Sequence, residues 1–409
     1  MPKIVINEYD NTTTGIREYS NFTVVVPGFI GTASGIDTSV FNEDGIYECD
    51  NQADFIKHVG KAKAKDSQIG NQIAYELLGL GYTVLYKRFT EKESLGDSAF
   101  WEPLKDKATY DFRYVITGLT TLNSGANNEI SKLCKGRGDA IALIDIDTAA
   151  YSDTNGTPKT QAEAIKGIIA ETAKLPSADK FSALFAPAVT YEGTGDTDYD
   201  GNRTFPASFH YLACAIESQA TYPEWFAVAG YTRGRCNAFK VAKTTVTLGE
   251  AAINALEPRA QKTYDSSSTV KTAVNVIAKI KGNYYLWGDR TAHPLGEKAD
   301  SDLVASHFLN IRQLCTTIKK QLYINCRRFT FEPNSDVLWV KFCNAIEPTL
   351  DKMKANQGIS DYQIIKKRNP KKAVLSAIIR IVPIEAVEDF EIDLTLEDSI
   401  EGDTIIIND

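Results

Sequence analysis

Asp145 and Asp147 are the residues best placed for chemistry: they close the apolar run Ala140-Ile-Ala-Leu-Ile144. Two carboxylates at the end of a buried strand can hold a magnesium ion and attack a phosphate. The four histidines, His58, His210, His293 and His307, lie far apart with no paired spacing, so a metal centre built from them is not expected. The chain has no Gly-x4-Gly-Lys-Ser/Thr phosphate loop and no Gly-x-Ser-x-Gly elbow. Gly136-Arg-Gly138 is too short to cradle a phosphate and reads as a tight turn.

The aspartate strand resembles the nucleophile strand of haloacid-dehalogenase-type phosphotransferases. That family needs threonine two positions after the second aspartate, whereas Thr148 follows Asp147 directly. An α/β magnesium-dependent phosphotransferase using Asp145 and Asp147 therefore stands as the alternative reading. The leading expectation is a protein that is not an enzyme and carries no cofactor.

The chain has 409 residues, enough for two or three domains, and its hydrophobic fraction of 43% suits sizeable cores. A net charge of −8 argues against a general nucleic-acid binder. No run of about 18 apolar residues is present, so no membrane insertion is expected. Met1-Pro-Lys-Ile-Val-Ile-Asn7 lacks the apolar core and cleavage site of a signal peptide, and a cytoplasmic protein is the simplest expectation. The seven cysteines, at 49, 134, 214, 236, 315, 326 and 343, form no Cys-x-x-Cys pair. An odd count in a reducing compartment argues against a disulfide framework, and Cys315 and Cys343 fit apolar helical faces.

The elements that would carry these residues alternate from about residue 22 to 235. Helices are expected over Gln52–Val59, Asn71–Leu80, Thr160–Ala173 and Phe205–Gln219. Strands are expected over Tyr82–Tyr86, Ala140–Asp145, Ser182–Phe185 and Trp225–Ala229. Continuous apolar strands suit a sheet covered on both faces, so residues 22–235 read as an open α/β domain. The stretch 90–135 breaks the alternation and reads as an irregular insertion.

From 236 to 402 the pattern turns α+β. Ala273–Lys281 alternates, meets a turn signal at Gly282-Asn283, and continues as Tyr284–Trp287, which predicts a hairpin. A helix is expected from a cap near Ser301, with Val304, Phe308, Ile311, Cys315, Ile318 and Leu322 along one stripe. A second helix is expected from Asn334 or Ser335, burying Trp339, Phe342, Ile346, Leu350 and Met353 and ending at Gly358. Pro348 inside it predicts a kink. Phe390, Ile392, Leu394 and Leu396 alternate with acidic and polar residues, the pattern of a half-buried strand.

Each end of the chain carries a short apolar β-run beyond a polar stretch: Lys3, Ile4, Val5, Ile6 and Asn7 at one end, Thr404, Ile405, Ile406 and Ile407 at the other. Residues 1–21 read as an arm with its linker and 403–409 as a second arm. A lone strand of this kind needs a sheet, its own or a neighbour's. Lys366-Lys-Arg-Asn-Pro-Lys-Lys372 is basic, and the span from Glu385 to Asp403 is strongly acidic. The two suit solvated surfaces or complementary faces of neighbouring copies.

Blocks spread along nearly the whole chain resemble contractile tail sheath proteins. Pro27-Gly-Phe-Ile-Gly-Thr32, Gln52–Gly60, Ala74–Arg88, Gly138–Asp145 and Phe205–Gly230 resemble that family's outer domain in order and spacing. The most specific part is Trp287, Gly288, Asp289, Arg290 and Thr291, followed by Phe308–Arg312, then Phe331, Glu332, Pro333 and Asn334, then Trp339. Ala373–Pro383 resembles the closing block. The chain departs from the family at Gln313 and Asp289.

The resemblance implies an α/β outer domain, an α+β inner domain and extended β-strand arms at both termini. It implies a structural subunit that stacks as hexameric rings around a tail tube and contracts to drive the tube through an envelope for genome ejection. Phage-like bacteriocins and other contractile injection systems would use the same subunit. Implied partners are further copies, the tube protein, and baseplate and tail terminator proteins, in a virion tail assembled in a bacterial cytoplasm. The arms 3–7 and 404–407 would donate strands to neighbours, with Phe390–Leu396 as an acceptor strand. Lys341, Lys352 and Lys354 would face the tube. Trp287, Gly288, Arg290, Thr291, Glu332, Pro333 and Asn334 would be scaffold.

Overall fold

The computed structural model describes residues 22–30, 39–60, 69–89, 95–118, 124–153, 155–193, 203–257, 272–294, 304–367 and 374–386. The arm residues 3–7 and 404–407 and the strand 390–396 lie outside this set.

Strand β1 (Thr23–Phe29) is followed by β2 (Ile46–Cys49), α1 (Gln52–Val59), α2 (Ile69–Gly79) and β3 (Thr83–Phe89). Next come α3 (Ser98–Trp101), β4 (Tyr114–Val115), α4 (Ser124–Arg137), β5 (Ile141–Asp145), α5 (Gln161–Thr172) and β6 (Ser182–Ala186). The chain continues through β7 (Val189–Tyr191), β8 (Arg203–Phe205), α6 (Ala207–Gln219), α7 (Gly230–Arg233), β9 (Val241–Thr244) and α8 (Glu250–Leu256). It then forms β10 (Asn275–Ile280), β11 (Asn283–Trp287), α9 (Leu309–Arg328), α10 (Asp336–Ala355), β12 (Ile359–Lys367) and β13 (Ser376–Pro383).

An eight-stranded sheet, ordered β11-β10-β6-β5-β4-β1-β3-β2, forms the body. The strands from β10 to β3 run parallel, and β11 and β2 are antiparallel edges. Alternate residues of each strand feed two cores. Val25, Ala142 and Ile144 pack with α3, α4, α5 and α8 through Trp101, Ile130, Ile168 and Ile253. Val24, Val26, Ile141 and Leu143 pack with α1, α2 and α6 through Phe55, Leu77 and Leu212. Strands buried on both faces explain the uninterrupted apolar runs.

The strand order reverses between β1 and β4, the position where doubly wound sheets commonly place a ligand. Here backbone occupies much of that space. A Cβ on Gly70, in the first turn of α2, would lie 2.2 Å from Pro27 O, so the helix sits directly on the carboxyl end of β1.

Several expectations need correction. The stretch 90–135 is not an irregular insertion: it supplies α3, α4 and the central strand β4, which pairs with β1 on one side and β5 on the other. Trp225–Ala229 is not a strand: Trp225 lies in a turn closed by Phe226 N donating to Pro223 O at 3.1 Å, and the chain from Ala227 to Ala229 is irregular. The hairpin β10–β11 was expected in the second domain, yet β10 pairs with β6, so the body sheet extends past residue 235. The hairpin turn is Lys281-Gly282 rather than Gly282-Asn283. Ile280 pairs with Asn283, and the two turn residues take φ values of 48 and 86.

Candidate interaction surface

Asp145 and Asp147 are spent on backbone capping. Asp145 is buried at the end of β5 and accepts from Ser208 N at 2.7 Å and Ser208 Oγ at 2.6 Å, in the first turn of α6. Burial pushes its carboxyl up to about 7, against the lowering effect of the Ser208 bonds. Asp147 accepts from Ala149 N at 3.0 Å and caps a separate 3-10 turn. Each aspartate serves its own segment. No cluster of three or more His, Cys, Asp or Glu that could hold a metal occurs among the described residues. Among them too, no helix is long and apolar enough to cross a membrane, and all seven cysteines are free. Cys315 and Cys343 are only partly buried.

The block Trp287–Thr291 fastens α9 to the edge of the body sheet. Gly288 takes φ 146, and a Cβ there would lie 2.8 Å from Asn275 Oδ1, so only glycine lets the strand exit pass so closely. Asn275 then binds both sides of the crossing: its Nδ2 donates to Leu184 O and Arg290 O, and its Oδ1 accepts from Arg290 N at 2.7 Å. Arg290 is fully buried with its guanidinium 4.6 Å from the Phe308 ring centre. Asp289 O accepts from Leu309 N at 3.0 Å, and its carboxylate accepts from Asn310 N at 3.3 Å. Thr291 N and Oγ1 donate to His307 O and Ser306 O, each at 2.8 Å. Helix α9 therefore starts at Leu309 rather than near Ser301. Val304 is exposed outside it, and the cap comes from Asp289, a residue distant in sequence.

The middle of α9 is pinned to the same body. Thr317 Oγ1 donates to Glu224 Oε1 at 2.8 Å and accepts from Arg113 Nη2 at 2.9 Å. Lys320 Nζ donates to Phe112 O at 2.9 Å and also contacts Asp111, and Lys319 Nζ donates to Gly138 O at 2.8 Å.

The other face of α9 carries a separate core. Leu314 and Ile318 pack with Trp225, Phe342, Ile346, Leu350, Met353 and Ile359, and β12–β13 covers them with Ile364, Ala377, Ile379 and Ile381. Trp225 Nε1 donates to Asn356 O at 3.0 Å, which joins the body to the end of α10. Ser335 caps α10 by accepting from Leu338 N at 3.3 Å. The helix runs unbroken through Pro348. That proline lies on the exposed side, where water can take the carbonyl left without its N–H.

Antiparallel strands β12 and β13 pair only with each other among the described residues. A lone two-stranded ribbon is marginal and its edges are templates for further strands. Its outward face exposes Ile378, Val382 and Ile384, and Val374 is exposed at the ribbon's start. An apolar groove of about 350 Å³ opens beside it, lined by Leu322, Phe329, Leu338, Phe342, Leu375 and Ile379. Phe331 follows Thr330, which lines this groove, and is 90% exposed with φ 73. Glu332, Pro333 and Asn334 are exposed beside it, and Glu332 contacts Lys341 at 3.5 Å. Lys341, Lys352 and Lys354 are exposed on α10, with Lys354 paired to Asp361 at 3.0 Å.

The sequence matches no protein-family model, and no curated protein matches it. Solved structures do match. The chain superimposes on a chain of the PVC sheath complex, an extracellular contractile injection system in its contracted state. The TM-score is 0.64 and the identity 14%, over 97% of this chain and 98% of that one. A chain of the anti-feeding prophage (AFP) baseplate matches with TM-score 0.62 and 11% identity, covering 97% and 99%. The sheath tail protein of Desulfitobacterium hafniense matches with TM-score 0.51 and 9% identity, covering 93% and 100%. The fold is thus shared with contractile sheath proteins along nearly the whole chain.

Proposed function

We propose that this chain is the structural subunit of a contractile tail sheath. One observation carries the reading: the likeness to the PVC sheath complex spans 97% of this chain and 98% of that one. The edges of β12–β13, which no other described strand covers, support it, because such edges suit strand donation between copies.

In this reading subunits stack as hexameric rings around a tail tube. The arms Lys3–Asn7 and Thr404–Ile407 add to a neighbour's ribbon, with Phe390–Leu396 as an acceptor strand. Shared sheets keep copies connected while they rotate and slide, and such donor–acceptor contacts are heterologous, which permits open helical polymers. Contraction needs no nucleotide. It moves a metastable extended lattice to a more closely packed one and drives the tube through an envelope. The work is genome ejection in a phage tail, or delivery by a bacteriocin or another injection system. Lys341, Lys352 and Lys354 face the tube, and baseplate and terminator proteins bound the polymer at its ends.

Negative-stain electron microscopy of the purified protein, alone and with its tube partner, tests this directly. Tubes or rings are expected. A monodisperse monomer at high concentration in both samples would sink the reading. Deleting Met1–Asn7 or Thr404–Asp409 should leave a folded subunit that does not polymerise.

A further inference from the structure

The outer face of α9 and the amino ends of β5 and β6 together form a cationic face on which, among the described residues, no carboxylate forms an ion pair with Arg312, Lys319 or Lys180. Three cations surround the Phe181 ring: Arg312 Cζ at 4.9 Å, Lys319 Nζ at 5.0 Å and Lys180 Nζ at 5.7 Å from its centre. Arg312 is 8% exposed, and its buried Nε–H finds no acceptor. An unmatched buried guanidinium donor is costly and points to a missing anion. The nearby carboxylates are already engaged. Asp179 binds Lys135 at 3.3 Å and Phe181 N at 2.8 Å, and Asp139 binds Arg137 at 3.0 Å. Beside this face lies a cavity of about 390 Å³ lined by Lys107, Arg137, Asp139, Lys319, Tyr323 and Cys326.

We propose that this face is the docking site for the chain's own acidic segment Glu397–Asp403, whose carboxylates accept from Arg312, Lys319 and Lys180. Charge complementarity is the first argument. The span from Glu385 to Asp403 concentrates nine acids, whereas the whole chain has a net charge of only −8. Reach is the second. Ile384 N donates to Gly358 O, Trp225 Nε1 to Asn356 O, and Thr317 Oγ1 to the adjacent Glu224. That succession of neighbours leads from the last described strand to within two residues of Lys319. The stretch from Ala386 to Glu397 spans up to about 36 Å when extended, ample for the crossing. Docking within one chain does not depend on the sheath reading. Within that reading it would hold Thr404–Ile407 to its own subunit until assembly displaces it.

The test is carbodiimide cross-linking of dilute protein, an equal mixture of unlabelled and 15N-labelled chains, with linked peptides read by mass spectrometry. Lys319 and Lys180 should link to Glu397, Asp398, Glu401 or Asp403 within chains of one isotope. The yield should fall about fivefold or more in about 0.5 M salt, where charge attraction is screened. In Lys319→Gln the links at Lys180 should fall, and in Lys180→Gln those at Lys319. Arg312→Gln should lower both. If that buried variant misfolds by near-ultraviolet circular dichroism, the two exposed-lysine variants decide alone. Mixed-isotope links in the majority would make a second copy the occupant and overturn the proposal. So would yields no higher than at exposed Lys352, or a loss caused by Lys371→Gln and Lys372→Gln but not by the Lys319 and Lys180 variants.

Discussion

Asp145 and His210 are both tied to the first turn of α6, one through its bonds to Ser208 and the other as part of the turn, and their protonation works in opposite directions. His210 is fully buried, with Tyr191 Oη 2.8 Å from its Nδ1, and burial lowers it to about 4. Asp145 is raised by burial to about 7.

The signs follow from proton linkage. Between about pH 4 and 7 the folded chain keeps a proton on Asp145 that the unfolded chain releases, so this group's contribution is lost as pH rises through 7. Between about pH 4 and 6.5 the unfolded chain protonates His210 and the folded chain does not, so stability is lost as pH falls. The two contributions are on the order of 4 and 3 kcal/mol and largely offset each other. Asp145→Asn should therefore lose stability on acidification from pH 7 to 4 more steeply than the parent. His210→Gln should gain relative to the parent over the same window. Denaturant midpoints measured across that range check both. Parallel profiles for all three proteins would refute the linkage.

Lys281 holds a left-handed conformation, φ 48, in the two-residue turn with Gly282. Asparagine adopts it more readily in hairpins of this type. Lys281→Asn should stabilise the chain by about 0.5–1 kcal/mol in thermal melts, whereas Gly282→Ala should destabilise it.

Gly288→Ala should be severe. The added methyl would press on Asn275, which joins Leu184 to Arg290. A loss of at least about 2 kcal/mol is expected. Hydrogen exchange should quicken at the start of α9, because Asp289 would no longer be held where it caps Leu309 and Asn310. A protection pattern unchanged there would remove Gly288 from that role.

Phe331 is 90% exposed at φ 73, an unfavourable conformation for a bulky side chain. Phe331→Gly should stabilise the isolated chain by about 1 kcal/mol. Under the sheath reading it should also slow polymer formation, because an exposed aromatic beside an apolar groove suits a contact between copies. Faster assembly by light scattering would oppose that expectation.

The sequence was most legible where pattern and burial agree. Thr160 caps α5 with a reciprocal bond to Glu163, and Ile141–Asp145 is a run buried on both faces. It was least legible where tertiary contacts decide. Strand β4 has only Tyr114 and Val115, too short to show any periodicity, yet lies near the middle of the sheet. Trp225–Ala229 is apolar enough for a strand, but Trp225 is drawn to Asn356 across a different core. Helix α9 begins where Asp289 reaches it from 20 residues upstream of Leu309, and local sequence gave no sign of that cap. The cationic ring around Phe181 was equally hidden, because Lys180, Arg312 and Lys319 converge only through packing.

Helix α9 is held to the body at its start by Asp289 and Thr291 and at its middle by Glu224, Gly138 and Phe112. These bonds are spread along the helix axis. A force directed along the α9 axis therefore reaches the body sheet as shear shared among several bonds at once. Peeling would break them singly, whereas shear loads them together and raises the rupture force. Helix α9 is consequently a stiff strut between ribbon and body.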